Sequence, residues 1–127
     1  MADIPNWLVT VLTQPSLDIA PVGGERYPFP KLTSREGILG LFDRNVSAAR
    51  KAITEVKEDE VHKPWRLLQA GKEIFTMPRS AVVRGMVMNH LIHHRAQLGV
   101  YLRLNELAIP GMYGPSADEM AAWAAAS

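Results

Sequence analysis

Asn89-His90-Leu91-Ile92-His93-His94-Arg95-Ala96-Gln97 sits inside a run from Arg79 to Leu107 that holds no proline and only two glycines, Gly85 and Gly99. Pro78 stands just ahead of the run, in the first turn where a helix accepts proline. The run reads as one long helix; about 30 residues at 1.5 Å each would span roughly 45 Å. Three of the four histidines fall within its five residues 90–94. Side chains at i and i+4 share a helix face roughly 5–6 Å apart at Cβ. Two imidazoles so placed can converge on one ion at roughly 2.0–2.1 Å. His90 and His94 have that spacing, and His90 with His93 is also within reach. The apolar stripe Val83, Met86, Val87, Leu98 and Tyr101 runs through His90 and His94, with His93 nearer the flank beside Asn89 and Gln97. Ring nitrogens in an apolar stripe are costly unless satisfied. A metal ion would satisfy them, and so would a hydrogen-bonded polar core. The motif lacks the glutamate of the zinc-protease pattern H-E-x-x-H, which excludes that reading.

Outward from this helix, Thr33-Ser34-Arg35-Glu36 reads as a capping box with Thr33 as the cap. Ile38, Leu41, Phe42, Ala49, Ala52, Ile53 and Val56 then recur at helical spacing to about residue 58. Trp65–Gln69, the turn Ala70-Gly71 and Lys72–Thr76 predict a small hairpin, its glycine supplying the freedom the reversal needs. Residues 14–32, with Pro15, Pro21, Pro28, Pro30 and Gly23-Gly24, predict an ordered connector without periodicity. Residues 6–13 are apolar and too short to be a stable helix in isolation. Beyond Leu107, Met112–Glu119 is turn-rich, and the alanines around Trp123 predict a short terminal helix.

The chain has 127 residues, enough for a single domain with a buried core. Fourteen basic and 13 acidic side chains are interspersed, for a net charge of +1. No basic stripe marks a nucleic-acid partner. Cysteine is absent, which removes disulfides, thiolate ligands and a cysteine nucleophile together. No signal peptide is legible and no run approaches the roughly 20 apolar residues of a membrane span. A soluble, cytoplasmic protein without nucleic-acid or membrane partners is the expectation.

The segment Met88–Leu98, followed by Tyr101-Leu102-Arg103-Leu104, Ile109-Pro110-Gly111 and Tyr113–Glu119, closely resembles the DinB-like (DinB/YfiT) family of metal-dependent proteins. The likeness extends upstream through Trp65 to Pro78-Arg79 and to Ile4-Pro5-Asn6-Trp7. The resemblance implies an all-α fold, a four-helix bundle with the small hairpin set before the long last helix. It also implies nickel or zinc held by three histidines, two of which map onto His90 and His94. His93, Arg95, Gln97 and Tyr101 would stand around that site. Homodimers and thiol-dependent transferases using small thiols occur in the family, and a metal-dependent hydrolase is the neighbouring expectation. The family's third histidine, its first helix and the front of its second have no counterpart here. Asp3 is the one ligating side chain in residues 1–10, and His62 the one histidine outside the long helix. Two function classes follow: a metal centre with catalytic chemistry, or a non-catalytic oligomeric bundle whose metal site is vestigial.

Overall fold

The computed structural model describes residues 1–126. They form two compact units, Met1–Leu91 and a second beginning at Ile92.

In the first unit, α1 (Ile4–Thr13) opens with Pro5 in its first turn and buries Ile4 and Val11. It packs against α2 (Arg35–Glu55), whose buried residues are the small Ala49 and Ala52. Small side chains at the contact permit close approach. The cap of α2 is Ser34 rather than Thr33: its hydroxyl accepts from the Gly37 amide at 3.0 Å. Glu36 therefore falls at the second helical position, one short of where a capping box needs its carboxylate.

The sheet corrects the fold expected from the sequence. An all-α bundle with a lone hairpin is not what the chain forms: β1 (Ser16–Asp18), β2 (Pro64–Gln69) and β3 (Lys72–Pro78) make a three-stranded mixed sheet in the order β1-β2-β3. β1 pairs parallel with β2, Leu17 opposite Leu67, and β3 pairs antiparallel on the other edge. The strand was hidden because three residues between prolines carry no period of their own. What makes Ser16–Asp18 a strand is the open edge of β2, more than 40 residues away in sequence.

Asp18 ties this sheet together. Its Oδ1 accepts from the Ala20 and Ala70 amides at 3.0 and 3.1 Å, and Oδ2 accepts from Gly71 at 2.7 Å. Ala70 and Gly71, the two turn residues, have φ of 53° and 74°. That primed turn suits the twist of a hairpin, but a left-handed alanine is strained, and the Asp18 carboxylate holds its amide in place. The core lies beneath the sheet, where Val11, Trp65, Leu67 and Val82 are buried together with Leu17, Ile19, Phe75 and Met77 against them. Arg79 is also buried: its Nη1 donates to the Val11 and Leu12 carbonyls at 2.7 and 2.6 Å.

Three abutting helical segments follow β3: α3 (Arg79–Val82), a π-helical stretch Val83–Met88, and α4 (Asn89–Leu104). The boundary between the two units falls inside α4. A π turn bonds i to i+5 and is wider than an α turn. The stripe counted at α spacing is buried only in its first part. Val87 is buried, and Val83 and Met86 half-buried, yet Leu98 and Tyr101 are 48% and 65% exposed.

The second unit holds the rest of α4, a loop, and α5 (Ala117–Ala125), so the long helix is not the last. Ser116 and Glu119 form a full capping box at the start of α5. Asp118 receives Arg103 at 2.6 Å, and Gly99 of α4 is buried, with Ile109 and Met112 closest to it.

Asp18→Asn tests the sheet lock. Desolvation pushes the Asp18 carboxyl up, but the Ala20, Gly71 and Ala70 amides together hold it below its ordinary 3.8. A carboxyl lowered by folding stabilises the fold above its unfolded value, and that stability is lost as pH falls through the lowered one. Thermal unfolding followed from pH 7 to pH 2 should show Asp18→Asn less stable at neutral pH and with a flatter acid limb than the parent.

Candidate functional site

His90 lies in the first turn of α4, directly after the π-helical stretch, and its side chain is on the surface. Its ring meets the Trp7 indole edge-to-face, centroids 6.4 Å apart and planes at 85°. Trp7 is in turn set by Tyr27, 5.7 Å away at 62°. The Tyr27 hydroxyl donates to Asp3 Oδ2 at 2.9 Å and accepts from Asn6 Nδ2 at 3.0 Å. Asn45 of α2 reaches the same carboxylate at 3.5 Å and the Ala2 carbonyl at 2.9 Å. Phe29 completes the row, 5.1 Å from Tyr27. The proline-rich connector thus has a purpose: it carries Tyr27 back to the head of α1 and braces the residue that faces His90.

In the second unit, His94 is half-buried and its Nδ1 lies 2.8 Å from Gln97 Oε1, one turn on. The His93 ring stands 5.1 Å from that of His94, at 66°. Arg95 extends to the Met112 carbonyl at 3.5 Å, and Tyr101 points outward. Of the residues expected around the site, Gln97 and His93 are therefore next to His94, while Arg95 and Tyr101 are turned to other duties. His90 belongs to the first unit and His94 to the second, and both lie within α4. Asp3 is engaged by Tyr27 and Asn45, and His62 sits exposed in a single 3₁₀ turn, Glu60–His62. Among the described residues, no three His, Asp or Glu side chains come together to hold a metal ion.

Asp3, Asn6, Trp7, Tyr27 and Asn45 come together only through folding, and no local spacing announces them. The single hint is Tyr27 itself, an amphipathic aromatic set between Gly23-Gly24 and Pro28 in the connector.

Compared with known proteins, residues 28–125 match the DinB family. The match takes in well over half the chain, which belongs to the DinB family. No curated protein and no solved structure matches it. The matched segment includes α2, the paired strands β2 and β3, and the histidine helix, whereas Asp3, Trp7 and Tyr27 lie ahead of it. No helix among the described residues is long and apolar enough to cross a membrane.

The brace at Tyr27 has a pH signature. Burial, and then the adjacent Asp3 carboxylate, push the Tyr27 hydroxyl up from 10.0 to about 12. A group raised by folding stabilises the fold below its unfolded value and loses that contribution as pH climbs through the raised one. Alkaline titration of phenolate absorbance should show one of the three tyrosines lagging to about pH 12. Tyr27→Phe should remove that late step and, with its two hydrogen bonds, about 1 kcal/mol of stability.

Proposed function

We propose that α4 carries a divalent metal site, nickel or zinc, with His90 and His94 as its protein ligands. The single observation that supports it best is the contact between His94 Nδ1 and Gln97 Oε1. Nδ1 donates to the amide oxygen, and such a partner on one ring nitrogen is how imidazoles that ligate through the other are commonly oriented. His90, one turn earlier, has its ring orientation limited by Trp7. The donor set fits as two neutral nitrogens, which suits zinc or nickel; water or a substrate atom would fill the remaining positions. Bound there, such an ion supplies Lewis acidity toward a small thiol or a water. The reading is thus a thiol-dependent transferase or a hydrolase of the DinB family. The chain's own part is to hold and orient the two imidazoles, His94 through Gln97 and His90 through Trp7. Loading with nickel or zinc should raise the melting temperature, because a ligand bound only to the folded state stabilises it. His90→Ala and His94→Ala should abolish the rise, and Gln97→Leu should weaken binding by about tenfold. Metal analysis that finds none in the loaded, desalted protein overturns the reading.

A second reading, a non-catalytic self-associating module, is favoured by one different feature. An apolar groove of about 670 Å³ runs along the first unit, its walls including Leu8 and Leu12 of α1, Val46 and Ile53 of α2, and Val87. Ile53 is 56% exposed there, and open apolar surface of this kind is characteristic of protein–protein contacts. On this reading the chain is a homodimer, and Ile53→Glu should convert it to a monomer in sedimentation equilibrium with little loss of stability. An unaltered mass for Ile53→Glu, or a monomeric parent, excludes the groove as the self-association surface.

A further inference from the structure

The groove along the first unit joins an apolar floor to a particular kind of charge. It runs between α1, α2 and the helical segments that follow β3, all within Met1–Leu91. On α2 its wall reaches from Val46 to Val56, about 15 Å of helix. Its volume of about 670 Å³ falls well inside the range of small-molecule sites. A trough of that length suits a linear chain better than a compact ring.

Two of the lining side chains are charged, Arg50 of α2 and Arg84 of the π-helical stretch, and no acidic side chain joins them in the wall. No ion pair engages either one among the described residues. Nor does an Asp or Glu stand three or four positions away along the chain, where a helical partner would be. Both arginines are exposed. An arginine stem can cover apolar surface while its charged head stays in water, where the head group of a ligand can reach it.

These two features together select the occupant. A second copy laid groove to groove repeats the same patch across a two-fold axis, which brings two more cations and no acid from this wall. A single apolar chain ending in one carboxylate answers both features. The chain fills the trough, and the planar carboxylate matches a guanidinium fork.

We infer that this groove is a binding site for the anion of a free, single-chain fatty acid, its chain along the apolar floor and its carboxylate met by Arg50 and Arg84. Nothing in this depends on the histidine pair, and it takes the surface that self-association would give to a second copy.

The test is calorimetric titration of the parent protein with decanoate below its micellar concentration, at fixed ionic strength. Binding should saturate at one site, and octanoate, shorter by two methylenes, should bind about tenfold more weakly. Decyltrimethylammonium, with the same chain and the opposite charge, should bind more weakly than decanoate. The double variant Arg50→Gln/Arg84→Gln alters exposed positions only and should lose about fivefold in decanoate affinity. The methyl resonance of Ile53, assigned by its loss in Ile53→Val, should move as decanoate saturates and so place the chain in the groove. An absence of saturable decanoate binding overturns the inference, and if the parent then sediments as a dimer the groove belongs to the second copy. Equal binding of the cationic analogue, unchanged decanoate affinity in the double variant, or an unmoved Ile53 methyl overturns it as well.

Discussion

The guanidinium of Arg79 joins the three parts of the first unit. It grips the carbonyls of Val11 and Leu12 in the last turn of α1, where a helix leaves its acceptors unmatched and carries partial negative charge. Its own backbone amide donates to the Lys63 carbonyl at 3.0 Å, just ahead of β2. It is also the first residue of the helical run that leads to the histidines. A ten-residue helix cannot hold itself in water, so α1 depends on this grip and on Val11 in the core. Trp7 lies on α1, and its meeting with His90 is therefore downstream of a bond made at the opposite end of that helix.

Asp18 plays the corresponding part for the sheet. Three amides converge on one carboxylate, which lets a three-residue strand and a strained two-residue turn coexist. Both devices use a charged side chain to satisfy backbone groups that regular structure leaves unpaired, and such bonds are stronger than neutral ones. They let a unit with few fully buried side chains keep one arrangement. The core rests mainly on Trp65, Val11 and Val82, with the sheet folded over them.

The π-helical stretch Val83–Met88 lies directly before the histidine helix. His90 lies at the surface beside Trp7, and α4 has only Gly99 fully buried.

What the sequence determined by itself is local and periodic. The long helical run after Pro78, the helix through Ala49 and Ala52, the Ala70-Gly71 reversal and the family pattern from Met88 to Glu119 are written in neighbouring residues, since helix spacing and turn chemistry act over a few positions. The short terminal helix around Trp123 was equally legible, but its start at Ala117, set by the Ser116–Glu119 capping box, was hidden among turn formers. Only the tertiary structure decided the rest. The third strand exists because β2 has an open edge, the cap of α2 moves to Ser34, and a π-helical stretch interrupts the long helical run. Asp3, Trp7 and Tyr27 meet His90, and Arg79 is buried with one side of its guanidinium unspent, because residues far apart in sequence become neighbours. These features depend on which distant group satisfies a backbone or charged donor, and no window of adjacent residues contains that information.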